Sequence, residues 1–263
     1  MIDLQQIKNH FPAVLQVDPA FRKYMLKEYV QLLILDFLSA SAYIKKITFV
    51  GGTNLRLVKG IERFSDNLYF DCENFSQEGF QQMSDDIITF LHRSGFRTET
   101  GEQQSEELEV WNRNIYFPEL LFDMGLSAYK EERFLIKIGG QNQQFHYKPV
   151  ITNIKRMGFF FPFPVPPDPL LCAMKISALL SRQKGRDFYD VMFLLGQTPP
   201  DYDFLSEKWE IKDLADLKEK LLKAIKTTNM KMKSQDFKHL LFDKDRSQKV
   251  LLFKDFVEHL EFF

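Results

Sequence analysis

The sequence predicts an α+β N-terminal half followed by an all-helical C-terminal half, on three observations. Short β-branched and aromatic runs alternate with helical stretches up to about residue 160. From residue 168 onward apolar side chains recur almost only at three and four spacing. Between the two patterns Phe159 to Pro169, FFFPFPVPPDP, places five prolines in eleven residues. The expected division is 1–160 for a mixed β-sheet domain with flanking helices and 161–263 for a helical bundle.

The elements follow in order. Residues 19–43 carry apolar groups at 21, 24, 25, 29, 32, 33, 37 and 38, the spacing of an amphipathic helix. Ile47-Thr48-Phe49-Val50 reads as a strand ending at Gly51-Gly52, and helical periodicity resumes at Thr53. Residues 67–72 read as a second strand and 79–93 as a helix. The stretches 96–100, 108–117, 119–127 and 133–139 read as strands of a mostly antiparallel sheet. The proline run fits neither a helix nor a central strand, and its five apolar side chains predict an extended, packed-down joint between domains. Helices are expected over 168–183, 185–196, 213–228, 234–242 and 246–262. The 27 phenylalanines, several around 159–163 and 253–263, are read as core and interdomain packing in preference to an aromatic stacking platform for bases.

Composition limits the function. With 44% hydrophobic and 27% charged residues the chain is globular, and its net charge of −1 lacks the single-signed field of a nucleic-acid-coating protein. The acid is concentrated: five glutamates fall between Glu99 and Glu109, read as an exposed loop and strand edge that disfavours nucleic acid. Two cysteines and five histidines without CxxC or HxxxH spacing supply neither a disulfide framework nor a four-ligand zinc site. The most apolar stretch, Tyr29 to Ile44, is interrupted by Gln31 and Asp36, and the N-terminus lacks the pattern of an export signal. A cytoplasmic protein that does not cross a membrane is expected.

The strongest local signal is Phe49-Val50-Gly51-Gly52-Thr53-Asn54-Leu55-Arg56, glycines between a strand and a helix start. Backbone N–H groups and the helix dipole would face an anion there, as in a phosphate site; an ordinary tight turn has the same sequence signature. Ten residues on stands Arg63-Phe64-Ser65-Asp66-Asn67-Leu68-Tyr69-Phe70-Asp71, and later Lys175 followed by Arg186-Asp187-Phe188-Tyr189-Asp190. Lys175 lies on an otherwise apolar helix face, where a lysine either snorkels to solvent or points into a polar cleft. Arg186 and Asp190, four apart, share a helix face and suit a mutual ion pair.

These three motifs, in this order, resemble the AbiEii/AbiGii toxin family of polymerase-β-like nucleotidyltransferases, whose signatures run GGT-x-LR, RFS-x-D-L-D-F and K…R-x-K-x-RD-x-YD. The resemblance implies a nucleotidyltransferase fold and an NTP as substrate or ligand. It also implies RNA as acceptor, Mg2+ as cofactor and a cognate antitoxin as partner. It assigns nucleotide binding to Gly51, Gly52, Thr53, Arg63, Ser65, Lys175, Arg186, Asp187 and Asp190. The metal-ligand places of the family fall on Asn67 and Tyr69, where carboxylates are missing, and the strand face they share reaches Asp71, the one candidate for a catalytic carboxylate. A third acid expected on a later strand is also missing, since 133–139 contains none. Asp66 points to the other strand face, and both it and Asp71 read otherwise as solvated flanking charges. The resemblance therefore implies either a weakened enzyme or a pseudoenzyme that binds nucleotide or a protein partner.

Overall fold

The computed structural model describes residues 3–73, 75–102 and 110–262. The chain divides into two compact units: Met1–Gly60 with Phe64–Val165, and Ile61–Arg63 with Pro166–Phe263.

The first unit begins with two short helices, α1 (Leu4–Lys8) and α2 (Ala13–Val17), that the sequence reading passed over. Helix α3 (Arg22–Ser39) is buried around most of its girth, Glu28 and Gln31 included, so it is a core helix and not a surface amphipath. Strand β1 (Thr48–Val50) runs into α4 (Gly51–Leu57), and β2 (Asn67–Asp71) and α5 (Gln77–Arg93) follow. Ser76 caps α5 by accepting the Gly79 N–H. Strands β3 (Glu99–Glu102) and β4 (Val110–Phe117) come next; the remaining glutamates of the acidic stretch, with 108 and 109 of the expected strand, lie outside the described residues. The strand expected over 119–127 is instead a one-turn helix, α6 (Leu120–Asp123), set between left-handed Glu119 and Gly125, both turn conformations.

Strand β5 (Phe134–Gln141) completes a five-stranded sheet of order β1-β2-β5-β4-β3. All of its pairings are antiparallel except β2 with β5. Burial alternates along β5, with Ile136 and Ile138 fully buried on one face. Helix α5 packs on that face, through Phe80 against Trp111 and Asp85 against Arg113.

Strands β6 (Val150–Arg156) and β7 (Phe159–Val165) form a separate antiparallel ribbon. The proline run expected as a joint is therefore mostly strand. A two-stranded ribbon leaves each strand a free edge, which tolerates Pro162 and Pro164. Phe161 and Phe163 are buried, and Phe163 packs on Phe49 and Phe70.

The second unit is helical: α7 (Asp168–Arg182), α8 (Gly185–Leu195), α9 (Tyr202–Trp209), α10 (Leu214–Lys226), α11 (Met230–Asp236) and α12 (Phe253–Glu258). Helix α9 was not expected. The helix expected over 246–262 is 3-10 over Lys244–Leu252 before α12 begins. Its core gathers Leu171, Ile176, Leu179, Phe188, Val191 and Phe253, with Phe188 and Phe253 edge to face at 5.0 Å. Ile61–Arg63 joins this unit through an Arg63–Leu241 bridge and the Phe242 N–H on the Glu62 carbonyl. No described helix is long and apolar enough to cross a membrane.

Candidate functional site

The glycine turn is built as the sequence suggests and braced from all sides. Gly51 has φ +85°, a left-handed backbone that favours glycine, and a Cβ there would meet the Tyr69 side chain at 3.2 Å. Thr53 is buried and its hydroxyl donates to the Asn67 carbonyl at 2.5 Å. Asn54 Nδ2 donates to the Phe49 carbonyl at 2.7 Å. Arg56 donates to the buried carboxylate of Glu28 at 2.8 Å, and Arg156 of β6 reaches the same carboxylate. The Thr53 hydroxyl and the Arg56 guanidinium are thus engaged within the fold, whereas Gly51 and Gly52 are half-buried. Ser65 is half-buried too, and its carbonyl accepts from Gln31 at 3.0 Å.

On the sheet face opposite α5 stand Asn67 and Tyr69, the positions to which the resemblance assigns metal ligands. Asn67 is in register with Lys137 of β5, which faces Asn114 of β4 and then Gly101 of β3. Tyr69 is in register with Gly139, which faces Asn112. The Tyr69 ring lies directly on Gly139, 2.5 Å from where a Cβ would be, so any other residue there must displace the ring. Asn67 Nδ2 reaches the Tyr69 hydroxyl at 3.4 Å.

Asp71 is neither solvated nor open. It is 3% exposed; Oδ1 accepts the Gln143 N–H at 3.0 Å and Oδ2 accepts the Tyr147 hydroxyl at 2.7 Å. Burial pushes its carboxyl above the ordinary value, more than these two bonds lower it. The Tyr147 phenol is raised in turn by burial and by the Asp71 charge. Asp71 therefore anchors the 142–149 loop to the end of β2. Asp66 pairs with Lys27 at 3.0 Å, which corrects its reading as a solvated charge.

A divalent cation wants several oxygen donors, carboxylates foremost. At the family's places this face offers an amide, a phenol and a carboxylate whose oxygens already hold hydrogen bonds, with an ammonium in the next register position. The residues present do not fit the metal. Among the described residues no group of three or more His, Cys, Asp or Glu is placed to hold one.

In the helical unit Arg63, Lys175 and Asp190 meet in a buried cluster. Asp190, 0% exposed, accepts from Arg63 Nε at 2.7 Å and Nη2 at 2.6 Å, and from Lys175 Nζ at 2.9 Å. Lys175 is 5% exposed and does not snorkel. Burial raises Asp190, but the two cations outweigh it and hold the carboxyl below its ordinary value. Burial lowers the Lys175 ammonium; Asp190 offsets only part of that, and Arg63 adds repulsion. Two cations on one carboxylate explain the asymmetry: the acid gains from both, while each base also faces the other. Asp190 takes Arg63 and Lys175 as partners, so the expected pairing with Arg186 does not form; Arg186 is half-buried at the start of α8. Asp187 is fully buried and paired with Arg182 at 2.7 Å, where it also accepts the Lys184 N–H. It is a helix-start brace in this fold.

Sequence reasoning missed Glu28 and Arg156, Tyr147, and the polar stripe of Lys137, Asn112 and Asn114. For Lys137 the signal was one charge between Ile136 and Ile138; Asn112 and Asn114 stand two apart, but Arg113 between them breaks the alternation that would mark a face.

The sequence model of the family described as "Nucleotidyl transferase AbiEii toxin, Type IV TA system" matches residues 33–259. No curated protein sequence matches the chain. Among solved structures it is similar to MenT4, a nucleotidyltransferase toxin from Mycobacterium tuberculosis H37Rv, at 17% identity and TM-score 0.67, covering 99% of this chain and 91% of that one. JHP933 from Helicobacter pylori is similar at 15% identity and TM-score 0.49, covering 89% and 91%.

Proposed function

The chain belongs to the AbiEii nucleotidyltransferase toxin family, and on that premise we propose that it is a nucleotide-binding member in which metal-assisted transfer has been lost. The observation that carries this reading is that Asn67 and Tyr69, which the resemblance sets at metal-ligand places, stand in register with Lys137 and Gly139, with Asn114 beyond Lys137 and no acid among these five residues. Divalent metal, in this superfamily, activates the attacking hydroxyl and neutralises phosphate charge. Without its ligands the in-line attack of an acceptor hydroxyl loses both aids.

Binding is the part of the activity that the remaining residues support. The half-buried glycines 51 and 52 leave backbone close enough for phosphate oxygens, by resemblance to the family motif. In the helical unit Arg63 and Lys175, which the resemblance also assigns to nucleotide, are almost fully buried and turn their N–H groups to Asp190. RNA and the antitoxin of the toxin family enter this proposal as binding partners only: a protein that holds nucleotide and does not transfer it would act through what it binds.

The test is a pair of assays on the unmodified protein. Equilibrium dialysis with each of the four NTPs should show binding, and incubation with labelled NTP, total RNA and Mg2+ should leave the RNA unlabelled. Covalent label in the RNA, abolished by Asp71→Asn, would replace this reading with that of an active transferase.

A further inference from the structure

We propose that the ammonium of Lys137 takes the charge-neutralising place on this sheet face, so that polyphosphate is held there by lysine and amide groups without divalent metal. The inference rests on the nucleotide-binding reading above.

Lys137 sits on the central strand of the sheet, between Ile136 and Ile138, both fully buried on the opposite face. Two residues on, Gly139 fixes the direction of its own face: a Cβ there would meet the Tyr69 ring at 2.5 Å and Asn112 Oδ1 at 3.4 Å. Lys137 shares that face, flanked in register by Asn67 on one side and Asn114 on the other. Across the antiparallel β4–β5 pairing, opposed Cβ atoms lie about 4.5–5.5 Å apart, and the parallel β2 strand sets Asn67 beside Lys137 on the other side, so the three side chains are neighbours on one face.

The residue choice is otherwise unfavourable. Lysine is depleted from strands, and a half-buried ammonium loses hydration that some partner must replace. Among the described residues Lys137 forms no ion pair. Among the described strand residues the carboxylates on its face are engaged or distant: Asp71 is bound to Gln143 and Tyr147, and Glu99 lies on the edge strand opposite Tyr116.

The donor inventory then selects the ligand. An ammonium contributes three N–H groups and an amide two, one of which Asn67 directs to the Tyr69 hydroxyl, whereas phosphate oxygens are acceptors only. Charge-assisted bonds from such donors to phosphate are short and strong. A triphosphate carries enough charge to need a cation, and here the cation is covalently part of the chain.

Calorimetry tests this with ATP, GTP, CTP, UTP and inorganic tripolyphosphate as probes, each in EDTA and in Mg2+. Binding to the parent protein should agree between the two conditions within about threefold. Lys137→Gln should weaken it about tenfold or more, and Lys137→Arg should retain it. The comparison of EDTA with Mg2+ uses the parent protein alone, so it stands even if a variant folds poorly. NTP binding that requires Mg2+, or that Lys137→Gln leaves unchanged, would overturn the role of Lys137 and spare the nucleotide reading. Tripolyphosphate binding lost in Lys137→Gln, with no NTP bound, would uphold Lys137 and overturn the nucleotide reading. No binding of any probe would overturn both.

Discussion

Replacing Asp190 with asparagine keeps the shape of the side chain and removes its charge, leaving Arg63 and Lys175 buried together with no carboxylate between them. Three charge-assisted bonds of 2.6–2.9 Å are weakened at once. Breaking a buried ion pair from one side costs about 3–5 kcal/mol, because the stranded charge stays out of water. In a helical unit of about a hundred residues, each kcal/mol moves the midpoint by about 4–8 °C. A fall of about 12 °C or more is expected by calorimetric melting. Lys175→Met should behave differently, since Arg63 still holds Asp190 through two bonds and the cation removed is the one that burial and Arg63 disfavour. Its cost should be no more than about 1.5 kcal/mol. The pH dependence has a definite sign. Asp190 is held below its ordinary value, so its contribution is present above the unfolded carboxylate value of about 4 and is lost as pH falls through the lower folded value. Asp190→Asn should flatten that acid limb. A melting point within 2 °C of the parent at pH 7, taking 2 °C as roughly the effect of half a kcal/mol, would refute the cluster as described.

Other perturbations probe the rest of the site. Gly139→Ala should cost about 1–3 kcal/mol by driving the Tyr69 ring off β5, and adding Tyr69→Ala should remove most of that penalty in urea denaturation. Gly185→Ala should prevent α8 and α11 from meeting, because its Cβ would fall 1.8 Å from the Lys233 carbonyl oxygen; soluble yield and melting report it. Asp71 is raised by burial, so the folded state holds its proton more tightly and stability falls as pH rises from the unfolded value through the folded one. Asp71→Asn should remove that fall and cost about 1–3 kcal/mol at low pH through the mismatched Tyr147 or Gln143 bond, as denaturant titrations at several pH values would show. Asn67→Asp with Tyr69→Asp should bring a Mg2+ requirement to nucleotide binding, measured by dialysis in EDTA and in Mg2+.

Much of this was legible in the sequence because it was local. The glycine turn at 51 and 52, β2 and the helices α7 and α8 follow from periodicity and punctuation that act within a few residues. The ribbon of β6 and β7 did not, because prolines at 162 and 164 argue against a strand unless the partner and free edge are known. The charged residues were misjudged for a related reason. Pairing of Asp190 with Arg63, 127 positions away, has no local signal, whereas Arg186 four residues off offered a plausible false one. Asp71 looked solvated because Tyr147, 76 positions on, is what buries and binds it. Lys137 was visible as a lone charge between two isoleucines on a strand without an acid. Its meaning comes from the register that sets it beside Asn67 and Asn114.

The central claim is that Lys137, beside the positions to which the resemblance assigns metal ligands, neutralises phosphate in place of a metal. A crystal soaked with nucleotide and Mn2+, with anomalous scattering used to locate the metal, tests it most directly. The account predicts triphosphate density against Lys137, Asn67 and Asn114, and no anomalous peak bound to the protein on that face. An anomalous peak ligated by Asp71, with the carboxylate turned away from Tyr147 and Gln143, would contradict it.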